Sequence, residues 1–223
     1  MRLPARCAGG RPDRLGCVDG RPGRFGARAP TMLHPGSGAG HGVRHAAPAH
    51  PPAARAVTLR IDALVEVLIR PFRPIDLDGL FVLDYRCYAA PYRFGYQQLL
   101  LTLQQSDVTT LVIQGEQEGD VVGGLIVRGN AGLRQLAIVS LMIAPEFRRM
   151  GLGSRLLDWA VEYARRSRWL AVTVPVETRN EGAMAFLGAK GFEDSGVGQP
   201  YFPAPEIGTL WRMATGAPAE SAP

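Results

Sequence analysis

The sequence predicts a mixed α/β fold, with a sheet that carries helices on both faces. Between residues 65 and 213 the hydrophobic period alternates between that of a strand and that of a helix. The predicted elements follow the order β-α-α-β-β-β-α-β-α-β-β, and such an order is typical of a layered α/β domain. At 223 residues the chain is long enough for one domain with a full core, while two large domains do not fit.

The elements of the first half follow from local pattern and punctuation. In chain order they are a strand at 65–72, a helix opening at Ile75 and Asp76 that carries Leu80, Leu83 and Cys87 on one side, a second helix at 96–105, and strands at 109–114 and 121–128. The last two strands are joined by the polar segment 116–120, whose Gly119 is typical of a hairpin turn.

The second half contains the longest amphipathic segment. Gly132 precedes a strand at 133–143, and from 151 to 168 apolar residues recur at helical spacing: Leu152, Leu156, Trp159, Ala160 and Tyr163. A strand at 171–176, a helix at 181–189, a strand from 192 onward and a last strand at 209–213 complete the predicted domain.

The formal net charge of +5 is unevenly distributed along the chain. Residues 1–56 hold nine arginines against Asp13 and Asp19, which gives +7, whereas residues 57–223 carry −2. All four histidines lie in the first segment, so chemistry in the remainder must proceed without histidine. Nucleic acid is therefore not expected as a partner of the folded part, although an RNA-binding arm or a targeting peptide are alternatives for residues 1–56.

The two ends of the chain differ in composition from the middle. Of residues 1–56, 38 are Gly, Ala, Arg or Pro, a composition that cannot bury enough apolar surface to offset the entropy of ordering. We expect a disordered extension at 1–56, with translation from Met32 or later as an alternative, a folded domain at 57–213, and a disordered tail at 214–223.

Cysteine spacing indicates whether a metal site or a disulfide is expected, and hydropathy indicates whether the chain enters a membrane. Cys7, Cys17 and Cys87 lack metal-site spacing, so no metal is expected, and a reducing, cytoplasmic setting fits best. The longest nearly unbroken apolar stretch, 136–145, is about half a membrane span, so no membrane association is expected.

The segment from Ser140 to Arg155 predicts an anion site. It places a buried strand, a turn started by Pro145, two arginines and the sequence Gly151-Leu-Gly153 at the start of a helix. Unpaired N–H groups of a first helical turn, the positive end of the helix dipole and glycines together favour a phosphate group. A Walker loop is excluded because no Gly-Lys-Ser/Thr follows, and the dinucleotide fingerprint lacks its third glycine.

The whole arrangement resembles the acetyl-coenzyme A loop of the GNAT superfamily of N-acetyltransferases. The family pattern Arg/Gln-x-x-Gly-x-Gly/Ala is matched at 148–153, and a second signature is matched at Asn180, Ala183, Gly191 and Phe192. The resemblance covers about residues 66–213 and implies a GNAT-type, mostly antiparallel sheet. Within the superfamily, the chain resembles in particular the ribosomal-protein alanine acetyltransferase group, which modifies N-terminal amines. Residues 84–88 and 199–203 are the segments that show this likeness.

The resemblance also implies which residues bind acetyl-CoA. The backbone of Leu141, Met142 and Ile143 would hold the acetyl carbonyl and the pantetheine arm, and Asn180 would hydrogen-bond the pantetheine chain. The pyrophosphate loop would comprise Arg148, Arg149, Met150, Gly151, Leu152, Gly153 and Ser154. The alternatives are that Met142 and Ile143 are core residues, that Arg148 and Arg149 are solvated surface charges, and that Asn180 only caps a helix.

The usual acid and base positions of that group hold residues that cannot transfer a proton. Leu187 stands where the group has a tyrosine acid, and Pro175 stands where it has a Glu or His base. Glu177 is the candidate base, because two residues further along a strand its side chain faces the same way as that of Pro175. Tyr201 is the candidate acid, with Tyr85 and Tyr88 as alternatives.

The sequence thus predicts an acetyl-CoA-dependent N-acetyltransferase that acts by direct transfer in a ternary complex, on a peptide N-terminus or a small-molecule amine. Cys87 is the one candidate for a covalent route, although a cysteine on an apolar helix face usually packs in a core. The alternatives are a non-catalytic coenzyme A-binding module and a nucleic-acid-binding protein with a GNAT body. A monomer and a homodimer are both compatible with the sequence.

Overall fold

The computed structural model describes residues 56–62, 65–90, 92–196 and 208–216. Within them, eight strands form one sheet in the order β1-β2-β3-β4-β5-β6-β8-β7. The strands are β1 (Val57–Asp62), β2 (Val65–Pro71), β3 (Val108–Gln114), β4 (Val121–Asn130), β5 (Gln135–Ile143), β6 (Ala171–Glu177), β7 (Glu193–Asp194) and β8 (Gly208–Ala214). Neighbouring strands are antiparallel except for β5 and β6, which are parallel.

Four α-helices accompany the sheet in the described ranges: α1 (Leu77–Cys87), α2 (Tyr96–Leu103), α3 (Leu152–Arg166) and α4 (Glu181–Ala189). Short 3-10 turns at Pro74–Asp76 and Pro145–Phe147 lead toward α1 and α3. The mixed, mostly antiparallel sheet predicted from the sequence is confirmed.

Helices cover both faces of the sheet, as predicted. A Cβ added at Gly124 of β4 would lie 2.7 Å from Leu80 Cδ1, so α1 packs directly on this face. Side chains alternate along β5, and Ile143 faces the opposite side, where its Cγ1 lies 3.7 Å from a Cβ built at Gly153 of α3. The core between these layers is formed by aliphatic side chains that are almost completely buried, among them Leu83, Leu111, Leu125, Leu136 and Leu156.

The clearest differences from the sequence prediction concern β1, β5, β7 and β8. β1 was not predicted, because its short alternating segment follows the Pro-rich stretch and carries no turn signal of its own. β5 begins at Gln135 and not at 133, since 131–134 form a turn in which Arg134 has a φ of 51°. The strand expected from 192 onward is the two-residue β7, whereas β8 continues to Ala214.

The sheet extends slightly past the domain boundary that composition suggests at 213. Ala214 pairs with Ala171 of β6, and the Thr215 N–H donates to the Leu170 carbonyl over 3.1 Å. The Thr215 hydroxyl also donates to the carbonyl of Trp169, and its side chain is buried. Two residues of the expected tail are therefore part of the ordered sheet.

Candidate functional site

At the end of β5, alternate residues direct their backbone N–H and C=O groups away from β4. The N–H of Ala144 donates to the carbonyl of Val122 over 2.8 Å, which makes this position a hydrogen-bonded pair of the antiparallel ladder. Hydrogen-bonded and non-hydrogen-bonded pairs alternate along such a ladder. The N–H and C=O groups of Leu141 and Ile143 are therefore directed to the other edge of β5, toward β6.

The strand on that edge diverges before it reaches these groups. In the described sheet, β6 pairs with β5 only at Gln135–Ala137, opposite Ala171–Thr173, and then continues to Glu177 as a partner of β8. A gap opens between the ends of β5 and β6. The register therefore gives the N–H groups of Leu141 and Ile143 no strand partner within the described sheet, and their role in binding is a proposal.

A tight turn and the start of α3 follow directly after β5. Arg149 and Gly151 both have a left-handed backbone, with φ of 65° and 79°. Such a conformation is costly for arginine and accumulates at functional sites, whereas glycine adopts it freely. Gly151 is the N-cap of α3 and provides no side-chain cap, so the first N–H groups of the helix are available to an anion.

The two glycines of this turn leave room for a ligand in different ways. A Cβ at Gly151 would meet nothing within 4 Å, so the space above the turn is open. A Cβ at Gly153 would lie 3.7 Å from Ile143 Cγ1 and 3.9 Å from Phe186 Cζ, which is ordinary van der Waals contact. The protein itself therefore leaves room for a Cβ at 153.

The other residues predicted for the loop divide into exposed and buried groups. Leu152 is 2% exposed and Met142 is 1% exposed, so both belong to the core and can offer a ligand only backbone groups. Arg149, Met150 and the half-buried Ser154 lie toward solvent. This confirms the interpretation of Met142 as a core residue.

Arg148 is exposed, and one hydrogen bond holds its guanidinium at the end of β5. Its Nε donates to the carbonyl of Ile143 over 3.1 Å, which folds the guanidinium back over the end of β5. The positive charge lies at the mouth of the gap between β5 and β6, where it favours an anionic ligand.

Asn180 is the N-cap of α4. Its Oδ1 accepts a hydrogen bond from the N–H of Ala183 over 3.0 Å, and the side chain is exposed. The capping alternative considered from the sequence is thus observed. Oδ1 is engaged in the cap, so a hydrogen bond to a pantetheine amide would come from the side-chain NH2.

Of the candidate base and acid, only the base lies within the described residues. β6 is unbroken from Pro175 to Glu177, so these side chains lie on the same face, as predicted. Glu177 Oε1 accepts from Arg179 Nε over 2.6 Å. Leu187 is 3% exposed and belongs to the core, and Tyr201 lies outside the described residues.

The C-terminal end of α1 brings two further side chains to the end of β5. Tyr88 donates its hydroxyl to the Leu141 carbonyl over 3.1 Å, and Cys87 donates its thiol to the Ile143 carbonyl over 3.4 Å. Asp84 lies one turn earlier on the same helix face. Tyr88 and Cys87 were considered from the sequence, whereas Asp84 was not singled out as a site residue, because a single carboxylate on an amphipathic helix resembles an exposed position.

The environment of these groups alters their protonation. Desolvation by burial raises the pKa of Asp84 to about 6, although the Phe94 N–H and the Arg93 charge act in the opposite direction. Burial likewise raises the pKa of the Cys87 thiol, against the influence of Arg148 and the Ile143 backbone. Both shifts stabilise the protonated form relative to a solvated group: the Cys87 thiol stays protonated at neutral pH, whereas Asp84, with a pKa of about 6, is still mostly ionised there.

Neither a membrane-spanning helix nor a metal cluster is found in the part of the chain that the structure describes. No helix there is long and apolar enough to cross a bilayer. No group of three or more His, Cys, Asp or Glu side chains among the described residues could hold a metal ion.

The opened parallel strand pair, the glycine turn and the helix N-terminus are the features that the resemblance to N-acetyltransferases implied. The sequence model of the Acetyltransferase (GNAT) family matches residues 77–192. This match spans more than half of the chain, so the chain belongs to the GNAT acetyltransferase family.

Individual relatives are distant in sequence. An uncharacterized N-acetyltransferase of Methanocaldococcus jannaschii is 26% identical over 139 residues, which cover 58% of this chain and 62% of the relative. The chain thus spans less than two thirds of the length of this curated relative.

Solved structures share the fold at low identity. The ribosomal-protein-S18-alanine N-acetyltransferase of Escherichia coli superposes with a TM-score of 0.59 at 17% identity, over 70% of this chain and 98% of the other. Ard1 of Thermoplasma volcanium gives 0.58 at 22% identity, over 66% and 97%. The spermidine/spermine N-acetyltransferase SpeG of Vibrio cholerae gives 0.53 at 16% identity, over 67% and 92%.

Proposed function

We propose that this chain is an acetyl-CoA-dependent N-acetyltransferase that moves an acetyl group to a primary amine by direct transfer in a ternary complex. One observation carries the proposal. The outward-facing N–H groups of Leu141 and Ile143 are followed at once by the left-handed turn at Arg149 and Gly151 and by the uncapped N-terminus of α3. This sequence of groups suits a ligand with a carbonyl at one end and phosphates at the other.

The donor would lie along this path. The backbone of 141–143 would hold the acetyl carbonyl and the upper part of the pantetheine arm, and the Asn180 amide would donate to that arm. The pyrophosphate would be bound by the loop residues Arg148, Arg149, Met150, Gly151, Leu152, Gly153 and Ser154. Acetyl-CoA would supply the activated acetyl thioester, and no metal is required for this chemistry.

The chain's own groups would then act on the acceptor amine. A neutral amine attacks the carbonyl carbon, and the N–H groups of Leu141 and Ile143 stabilise the negative charge that develops on the carbonyl oxygen. The carbon–sulfur bond breaks, and coenzyme A leaves as a thiolate of moderate basicity. Glu177 and Tyr201 stay the sequence-derived candidates for proton transfer, with the first engaged by Arg179.

We propose a peptide N-terminus as the first acceptor class to test. This choice is favoured by the structural similarity to the Escherichia coli enzyme that acetylates a ribosomal-protein alanine. The likeness to a spermidine/spermine N-acetyltransferase keeps small-molecule amines as the second class. Residues 57–213, extended to 215 by β8 and Thr215, are proposed as the catalytic domain, acting as a monomer or homodimer in the cytoplasm.

An acceptor screen tests the proposal directly. Release of free thiol from acetyl-CoA is measured with peptides of different N-termini, polyamines, aminoglycosides and amino acids, and acetyl-CoA binding is measured by calorimetry in parallel. Turnover with one amine class supports the enzyme. Tight binding without turnover on any class would instead indicate a non-catalytic coenzyme A-binding module.

A further inference from the structure

We propose that Asp84, on α1, is the group that takes the proton from the acceptor amine in this transfer. The inference rests on the proposed function and deepens it, because it assigns the amine-side proton transfer to a helix that the sequence motifs leave out. The donor-binding loop and the N–H groups that stabilise the oxyanion keep the roles proposed above.

The position of α1 places Asp84 one helical turn from the groups that reach the opened end of β5. One turn before Asp84, Leu80 packs against Gly124 and lies next to Met142, since a Cβ at Gly124 would contact both side chains. One turn after it, Tyr88 reaches the Leu141 carbonyl. Asp84 therefore lies between these two contacts along the chain, and its charge acts on both Tyr88 and Cys87.

The carboxylate of Asp84 is buried and only half satisfied. Its side chain has no exposed surface, and Oδ2 accepts from the N–H of Phe94 over 2.9 Å. Oδ1 has no hydrogen-bond partner among the described residues. A buried acceptor without a donor costs about 1–3 kcal/mol, and more when it is charged. A primary ammonium carries three N–H donors and would supply the missing partner.

The charged and titratable groups around Asp84 belong to α1, to the α1–α2 connection and to the segment after β5. Cys87 and Tyr88 follow Asp84 on α1, and the Tyr88 hydroxyl lies 3.3 Å from Ser140 Oγ of β5. Arg93, in the α1–α2 connection, donates to the Tyr88 carbonyl and stacks over the Tyr85 ring at 3.7 Å. Arg148, after β5, acts on Cys87. Arg93 is thus held by other partners and leaves Oδ1 unpaired.

The proton balance of the step is simple. An ammonium transfers one proton to the Asp84 carboxylate and becomes a neutral amine. The amine nitrogen forms a bond to the acetyl carbon, the carbon–sulfur bond breaks, and its electron pair leaves on sulfur. The second nitrogen proton neutralises the thiolate, and Asp84 passes its proton to water that enters when the product leaves. A carboxylate with a pKa near 6 is ionised at pH 7 and is still basic enough for this role.

Glu177 is less suited to the same task. Its side chain is 20% exposed and already paired with Arg179, so its carboxylate has an opposite charge and access to water. It lies at the end of β6, whereas the groups that approach the β5 carbonyls belong to α1. The two carboxylates therefore form a matched pair for a test.

The experiment compares the pH dependence of kcat/KM for the full chain, for Asp84→Asn and Glu177→Gln, and for the control Asp107→Asn, which changes only an exposed pair with Arg128. The probe is a lysine-free peptide with an N-terminal alanine, at saturating acetyl-CoA. The wild type and Asp107→Asn should lose activity only below pH about 6. Asp84→Asn should lose at least tenfold at pH 7, and its activity should rise with the ionisation of the peptide amine, near pH ~7.8. Asp84→Glu, which restores a carboxyl group, should regain a low-pH midpoint.

An unchanged pH profile in Asp84→Asn, or loss of the low-pH midpoint in Glu177→Gln, overturns the proposal. A second measurement does not depend on turnover or on the variants' folding. The 13C carboxyl signal of Asp84 in the wild type is titrated with coenzyme A bound, with and without alaninamide. The amine should lower the midpoint of this titration, and an unmoved midpoint overturns the proposal. An absence of turnover together with a shifted midpoint would contradict only the proposed transfer.

Discussion

The thiol of Cys87 donates a hydrogen bond to the carbonyl oxygen of Ile143, with 3.4 Å between sulfur and oxygen. The only cysteine of the described residues thus lies at the strand end where an acetyl group is proposed to bind. Position alone would suit a covalent acetyl-cysteine. Protonation argues against it, because burial raises the pKa of this thiol and a thiol is a weak nucleophile compared with a thiolate.

Direct transfer predicts that Cys87→Ala keeps most of the activity. We expect kcat to change by less than tenfold, because the variant removes one weak hydrogen bond and no reacting group. Intact mass measured after incubation with acetyl-CoA and without an amine should show no added acetyl group. An acetylated wild-type chain that Cys87→Ala does not form would establish the covalent route instead.

The donor-binding loop predicts that Gly153→Val weakens acetyl-CoA binding at least tenfold, about 1.4 kcal/mol. The added side chain has ordinary contacts within the protein and so should not disturb folding, but it would occupy the approach of the phosphates to the backbone. Calorimetric titration measures the effect.

Gly188→Val is the matched control for this variant. Gly188 is also helical, and its Cβ would lie 3.6 Å from the Trp211 ring, in similarly ordinary contact. The control should bind acetyl-CoA as the wild type does. Equal affinity of Gly153→Val and Gly188→Val would exclude this loop as the phosphate site.

Much of the fold follows from periodicity in the sequence. The amphipathic helix α3 and the buried strands β4 and β5 carry strong patterns, and their positions were predicted within a few residues. β1 was not predicted, because it is stabilised by pairing with β2, and a short segment carries no sequence signal for that tertiary contact. The Asn180 cap was foreseen as an alternative, since Asn before a helix is a local signal.

The site was predictable where it depends on backbone and not where it depends on side chains from distant elements. Gly151 and Gly153 identify a turn through their own chemistry. Asp84 and Leu141 are far apart in sequence, and only the packing of α1 on β5 brings this helix face to the strand end. The burial that makes Asp84 notable is likewise a property of the assembled fold.

The buried ion pair between Arg70 and Asp76 predicts a pH-dependent contribution to stability. Burial raises the pKa of Asp76, but hydrogen bonds from the Arg70 guanidinium and the Arg73 N–H, with the charges of both arginines, outweigh this and lower it. The stabilisation is therefore present above the unfolded-state pKa, near ~3.9, and is lost as pH falls through the lower folded-state value.

Asp76→Asn should destabilise the protein by about 3–5 kcal/mol at pH 7, because it leaves a buried guanidinium without its charge partner. Urea unfolding at pH 7 and below 4 measures the difference, which should shrink at the lower pH. Asp107→Asn is the control, since its pair with Arg128 is exposed and worth about 0–1 kcal/mol. Equal effects of the two variants at pH 7 would contradict this account.

The proposed domain boundary predicts that a chain beginning at Ala56 folds and binds acetyl-CoA with unchanged affinity. The family match and the described sheet both lie beyond this residue. A chain beginning at Val65, which also lacks β1, should unfold at a lower urea concentration because β2 loses one of its two antiparallel partners and becomes an edge strand. Circular dichroism and calorimetry measure both, and loss of binding in the longer chain would place part of 1–55 in the functional unit.

The proposed transfer predicts a preference for amines of low pKa. The attacking nitrogen must be neutral, whichever group takes its proton. An α-amine with a pKa near ~7.8 is roughly a tenth neutral at pH 7, whereas a lysine side chain near ~10.4 is neutral in about one molecule in 2,500. The α-amine therefore begins with an advantage on the order of a few hundredfold. Pro175 and Leu187 supply no additional proton transfer that would compensate for it.

Rates on two peptides of the same composition, one offering only an α-amine and one only an ε-amine, should differ by at least tenfold at pH 7. Equal or faster acetylation of the ε-amine would show that the site contains a stronger base than any carboxylate described here, and that acceptor choice is set by it.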